Sequence, residues 1–224
     1  MQIAIPVYER FTALDAIGPY EVLSRLPGAQ VTFVAAEAGP VRTDNAMLAV
    51  TADAAFADLP APDIVMVPGG FGTRALLDDE EILGWLRRAH ETSTWTTSVC
   101  TGSLLLAAAG ILDGLDATTH WAAAAELERF GSRYVEQRVV QHGKIVMAAG
   151  VSAGIDMALT LAAQIAGDEI AQTIQLYIEY DPQPPFDSGS PSKAPESVMA
   201  LARAVGRTEQ VPEESPRADV RPAL

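Results

Sequence analysis

The residues from Trp95 to Gly110 constrain this chain more than any others. Trp95 to Val99 are rich in β-branched and aromatic side chains, whereas Ser103 to Ala109 are strong helix formers, so the local preference switches from strand to helix at Cys100. The only cysteine of the protein stands on that switch. A sharp turn between a buried strand and a helix pushes its residue outward at the carboxyl edge of a sheet, facing the free N–H groups of the first helical turn. That is the geometry of a nucleophile elbow. The positive helix end is expected to lower the thiol by roughly two units from about 8.5, making thiolate the main form at neutral pH. The competing reading is an inert core thiol, because free cysteine is among the most buried residue types.

The rest of the chain reads as alternating strands and helices. Ile3 to Tyr8 form a short apolar strand, Gln30 to Ala36 a second, Asp63 to Val67 a third, and Trp95 to Val99 the strand before the elbow. Val41 to Val50 read as two short strands around Asp44 and Asn45. Arg138 to Gln141 and Ile145 to Ala148 form a strand pair joined by His142 and Gly143. Asp78 and Asp79 can cap a helix with Ile82, Trp85, Leu86 and Ala89 on one face. Ser152 is a plausible cap for a helix over Ala153 to Ala166, apolar nearly all round and expected to be buried, and Asp168 to Glu179 form an amphipathic one. The pattern predicts an α/β fold with a mostly parallel central sheet and helices on both faces. Three segments are expected: residues 1–180 as the α/β domain, 181–205 as a proline-rich arm with a short helix from Glu196 to Val205, and 206–224 as a disordered tail.

Asp15 has two readings. With Thr12 it fits a capping box, but a helix starting there would carry Pro19 inside it, at a cost of about 3 kcal/mol. A helix capped by Gly18 with Pro19 at its first position avoids this and leaves Asp15 in the turn after the first strand. Such turns line the crevice where sites form in open α/β sheets. Residues 70–75, from Gly70 to Ala75, match a loose dinucleotide fingerprint, yet the following strand ends in Cys100 rather than an acidic residue, and no Lys-Ser/Thr pair follows the glycines. A loop of backbone donors facing the thiol suits those glycines better. His90, His120 and His142 lie singly in different elements, without metal-ligand spacing. Of these only His120 is expected at a strand end, where it can face the crevice or be merely structural.

Charge and composition exclude several classes. Fifteen Lys and Arg against 29 Asp and Glu leave a formal charge of −14, which repels nucleic acid and anionic membranes. No apolar run is long enough for a membrane span, and the first residues read as a strand rather than a leader. One cysteine cannot form an internal disulfide, which suits a reducing compartment, so the expected location is the cytoplasm.

Six motifs in order, LDAIGP at 14–19, DIVMVPGGFG at 63–72, TSVCTGS at 97–103, ATTHW at 117–121, AGVSAGID at 149–156 and FDSGSP at 186–191, resemble the ThiJ/PfpI superfamily with its class I glutamine amidotransferase-like, flavodoxin-like fold. The chain is most similar to the isonitrile-hydrating members, which convert an isonitrile and water into an N-substituted formamide. This resemblance implies Cys100 as nucleophile and Asp15 as general acid and base, with no metal or organic cofactor. Thr101, Gly70 and Val151 are the backbone donors it suggests for developing charge, His120 is a further substrate-side residue, and a homodimer is the expected assembly. Glyoxalase- and deglycase-like members carry a glutamate on the first helix in that role, whereas this chain uses the shorter Asp15 earlier, in the turn, and peptidase-like members have histidine after the cysteine where this chain has Thr101. Similar motifs occur in the sensor half of AraC-type regulators, so ligand or redox sensing without turnover is the alternative.

Overall fold

The computed structural model describes residues 1–210. The chain divides into two compact units at Gln183/Pro184. In chain order the first unit contains β1 (Gln2–Pro6), α1 (Ala13–Leu23), β2 (Gln30–Ala35), β3 (Gly39–Arg42), β4 (Ala49–Ala52), β5 (Ala54–Ala55), β6 (Ile64–Val67), α2 (Glu80–Thr92), β7 (Trp95–Val99) and α3 (Gly102–Ala108). It continues with β8 (Asp116–Ala117), α4 (Ala124–Glu128), β9 (Arg133–Tyr134), β10 (Val139–His142), β11 (Ile145–Ala148), α5 (Ala153–Ala166) and α6 (Asp168–Tyr177). The second unit holds α7 (Glu196–Gln210), five residues longer than the short helix expected there, so residues 206–210 are helical rather than part of the disordered tail expected over 206–224; residues 211–224 lie outside the described residues. Among the described residues no helix is long and apolar enough to cross a membrane.

The central sheet has the order β10-β11-β7-β6-β1-β2-β5. All neighbours are parallel except β10, which runs antiparallel to β11. Every residue of β6 and of β11 is buried, as expected of strands covered on both faces. Helices cover both faces: α1 packs on α5 and α5 on α6, while α3 packs against α2 and α4. The Asp79 side chain accepts from Glu81 N–H and caps α2, as its sequence predicts. α5 is not buried all round: Met157, Ala158, Leu161 and Ala162 face the core, whereas Thr160 and Gln164 on the opposite side are exposed. Ser152 makes no cap; its hydroxyl is 3.4 Å from an Arg138 guanidinium donor instead.

The first helix also departs from expectation. α1 starts at Ala13 and carries Pro19 in its interior, so Asp15 lies in its first turn rather than in a loop before it. Pro19 cannot donate to the carbonyl four residues back, and tertiary packing offsets that loss. A Cβ on Gly18 would stand 3.1 Å from Ile155, and one on Gly154 would stand 3.1 Å from the Pro19 ring. The two glycines therefore let α1 and α5 approach closely, with Pro19 in the contact.

Candidate active site

The elbow is built by conformation and by sterics. Cys100 has φ 56°, the left-handed region that costs a non-glycine residue roughly 1–2 kcal/mol. Four hydrogen bonds hold it there. Its N–H donates to the carbonyls of Ala148 and Ala149 at 3.2 and 2.8 Å, and its own carbonyl accepts from the hydroxyls of Ser103 and Thr119 at 3.1 and 3.0 Å. Gly102 lets α3 start against the end of β6, because a Cβ there would lie 2.2 Å from the Val67 carbonyl oxygen. The side chain of Cys100 is thereby aimed at the carboxyl end of the sheet, and the residue is only 5% exposed.

Around the sulfur the structure gathers Asp15, Thr101 and Val151. The backbone N–H groups of Thr101 and Val151 hydrogen-bond to the thiol, and the Asp15 carboxyl is its side-chain partner. Asp15 is fully buried. Its Oδ2 accepts the Gly69 N–H at 3.0 Å, while among the described residues no nitrogen or oxygen donor reaches Oδ1. Thr12 does not close a capping box with it; the Thr12 hydroxyl donates to Asp44 at 2.9 Å.

Two groups assigned from sequence stand elsewhere. The N–H of Gly70 donates to Thr101 Oγ1 at 2.9 Å, and that hydroxyl lies 3.1 Å from the Gly70 carbonyl, so Gly70 pins the glycine loop to the elbow instead of pointing at the thiol. His120 is not at a strand end, because β8 stops at Ala117 and belongs to a separate two-stranded sheet. Its Nδ1 accepts from Ala122 N–H at 3.3 Å, its ring lies 5.4 Å from that of Trp121, and its other edge faces Gly150. Burial and the Arg74 guanidinium lower its pKa, which favours a neutral imidazole.

Local sequence did not single out Tyr8, Gly69, Ser103 or Thr119. The Tyr8 hydroxyl donates to the Pro68 carbonyl at 2.6 Å. Gly69 had a visible signal, a second glycine directly after a buried strand: a Cβ there would stand 2.5 Å from Thr101 N and 2.9 Å from Asp15 Oδ2. The hydroxyl of Thr119 had none, since it meets the Cys100 carbonyl only through the fold, whereas that of Ser103 reaches the same carbonyl three residues back along the chain.

The electrostatics reverse one expectation and sharpen another. Burial and the neighbouring Asp15 carboxylate push the Cys100 thiol well above its ordinary range, against the pull of the Thr101 and Val151 N–H groups. This direction favours the thiol and runs against the lowering expected from the helix end. Asp15 rises from 3.8 to about 7, chiefly through desolvation, with the Gly69 N–H and Cys100 pulling it down and the Asp44 carboxylate pushing it up. An acid near neutrality can give and take a proton at the same pH. The pair thus supplies a soft nucleophile beside a proton carrier, with two N–H groups ready for charge on sulfur. Among the described residues no three His, Cys, Asp or Glu side chains cluster as a metal site would require.

The chain matches the DJ-1/PfpI family over residues 1–164. It is 44% identical over 203 residues to isonitrile hydratase of Pseudomonas putida, covering 91% of this chain and 89% of that protein. The HTH-type transcriptional regulator CdhR of Pseudomonas aeruginosa is 30% identical over 176 residues, which is 75% of this chain and 51% of the regulator. Among solved structures, a ThiJ/PfpI family protein from Pseudomonas syringae superposes with TM-score 0.88 at 37% identity over 93% of this chain and 87% of that one. DJ-1β of Drosophila melanogaster shares the fold, with TM-score 0.73 at 21% identity over 80% of this chain and 97% of that one. The cysteine elbow, the parallel sheet and these likenesses agree, and the chain belongs to the DJ-1/PfpI family.

Proposed function

We propose that the protein hydrates isonitriles, adding water to R–NC to give R–NH–CHO. The observation that carries this reading is the contact of a buried Cys100 thiol with an Asp15 carboxyl whose pKa is about 7, in a chain 44% identical to an isonitrile hydratase. Asp15 in its carboxylate form takes the proton of Cys100 as sulfur attacks the terminal carbon. It then delivers that proton to the same carbon, leaving the thioimidate R–N=CH–S–Cys100. Water next gives a proton to Asp15 while its oxygen adds to the thioimidate carbon, and the proton passes to nitrogen. The C–S bond breaks as the added hydroxyl becomes a carbonyl. The hydroxyl proton returns to sulfur through Asp15, so one water is consumed and the thiol is restored. The N–H groups of Thr101 and Val151 hold the charge that sulfur carries at attack and departure.

The glycine loop serves as scaffold in this scheme. Gly70 positions Thr101 through its hydroxyl, and His120 borders the site from the Gly150 side. The expected assembly is a homodimer working in the cytoplasm. Exposed Phe186, Val198, Leu201 and Val205 in the second unit supply apolar surface for association. Incubation of the purified protein with an alkyl isonitrile, followed by NMR detection of the formamide proton, tests the activity. Absence of product with a free, unoxidised thiol would refute it.

A sensing role is the second reading, favoured by the match to CdhR. Burial beside Asp15 disfavours the thiolate through which peroxide oxidation proceeds, so a small-molecule ligand fits this alternative better than peroxide. Ligand-dependent stabilisation without turnover, equal in Cys100→Ser, would support it.

A further inference from the structure

Tyr8 takes no part in the chemistry above, yet one peptide unit ties it to the acid. Its hydroxyl donates to the Pro68 carbonyl at 2.6 Å, and the N–H on the other side of that same peptide, Gly69, donates to Asp15 Oδ2 at 3.0 Å. The peptide is trans, so its carbonyl and N–H point in opposite directions, one toward the phenol and the other toward the carboxyl. The phenol is itself buried, with the residue 8% exposed. A hydrogen bond accepted at the carbonyl oxygen polarises the amide and strengthens its N–H as a donor.

We infer that Tyr8 is a positioning residue for Asp15, acting through the Pro68–Gly69 peptide to set the one nitrogen or oxygen hydrogen bond that holds the acid. The catalytic part of this inference rests on the hydratase reading; the link from Tyr8 to Asp15 does not. Asp15 leans on the relay because, among the described residues, Oδ1 has no nitrogen or oxygen donor. Three other groups act on it: the Cys100 thiol from the elbow, the Asp44 carboxylate from the loop after β3, and the Tyr8 phenol. Asp44 is held apart by the Thr12 hydroxyl and the Asn45 N–H, both at 2.9 Å. Burial, reinforced by Asp15 and Cys100, pushes the Tyr8 phenol well above its ordinary range, so it is a neutral donor throughout the working pH range.

The sign is fixed by the donor strength. A weaker Gly69 N–H favours the carboxylate less and raises the Asp15 midpoint; a stronger one lowers it. The test follows the carboxyl carbon of Asp15 by ¹³C NMR through a pH titration of the full chain, in parallel with formamide kinetics. In Tyr8→Phe the Asp15 midpoint is expected to rise by about half a unit, with kcat down about tenfold and KM within about twofold. Difluorotyrosine in place of Tyr8 donates more strongly, and burial favours its protonated form as it does that of Tyr8. It should move the midpoint the other way, and it keeps the test decisive if Tyr8→Phe does not fold. Unchanged Asp15 midpoints in both proteins, with only a lowered melting temperature in Tyr8→Phe, would overturn the relay. A parent protein that makes no formamide would sink the hydratase reading alone, since the opposite titration shifts would still establish the link.

Discussion

The two halves of the site are held in different ways. At the elbow every backbone polar group of Cys100 is bonded, its sulfur faces two N–H groups, and Gly102 tolerates no added Cβ. In the first turn of α1, Asp15 is more deeply buried but has one hydrogen-bonded oxygen and one without a nitrogen or oxygen donor. The difference teaches that the nucleophile is located by a rigid, over-determined backbone, whereas the acid is tuned by what it lacks. A carboxylate with a full set of donors would keep a low pKa and could not return a proton near neutrality.

Removing the sulfur should give the largest effect. Cys100→Ala and Cys100→Ser leave the elbow backbone in place, so both are expected to melt close to the parent while formamide production falls by about 10⁴-fold or more. Activity within tenfold of the parent would separate the elbow from the chemistry.

Asp15→Asn comes next and probes the under-bonded half. It can keep the Gly69 hydrogen bond but loses the titrating proton, and turnover should drop by about 10²- to 10⁴-fold. Asp15 binds its proton more tightly in the fold, at about 7, than at the ordinary value of 3.8. Its contribution to stability is therefore complete below the ordinary value and is lost as pH rises through 7, a change of order 4 kcal/mol. Thermal melts of the parent should fall across that window, and Asp15→Asn should flatten the slope and melt at or above the parent at pH 8. A destabilised but active Asp15→Asn protein would return the residue to a purely structural role.

Thr101→Val tests whether the glycine loop and the elbow form one unit. It keeps the N–H that faces sulfur and removes the hydroxyl joined to Gly70, for an expected cost of about 2 kcal/mol, or roughly 6 °C in melting temperature, with kcat reduced about tenfold. An unchanged melt would show that Gly70 needs no such anchor. His120→Gln should have the smallest effect. The ring accepts from the Ala122 N–H and packs on Trp121, so kcat is expected within about threefold of the parent. A larger loss would place His120 in the proton path.

Much of the elbow is written locally. The change from β-branched residues to helix formers, with cysteine and then glycine at the switch, determines where β7 ends and α3 begins, because strand and helix preferences and the room that glycine leaves act over a few residues. The buried parallel strands are equally legible from their apolar runs. The start of α1 was not legible, since local cost disfavours an internal proline and only the close packing of Gly18, Pro19 and Gly154 offsets it. The burial of Asp15, the upward push on the thiol and the bond from Tyr8 to the peptide that holds the acid also follow from tertiary structure alone. Desolvation and hydrogen bonding depend on what surrounds a group in space, and Tyr8, Asp15, Gly69 and Cys100 come from four separate stretches of chain that only the folded sheet brings to one edge.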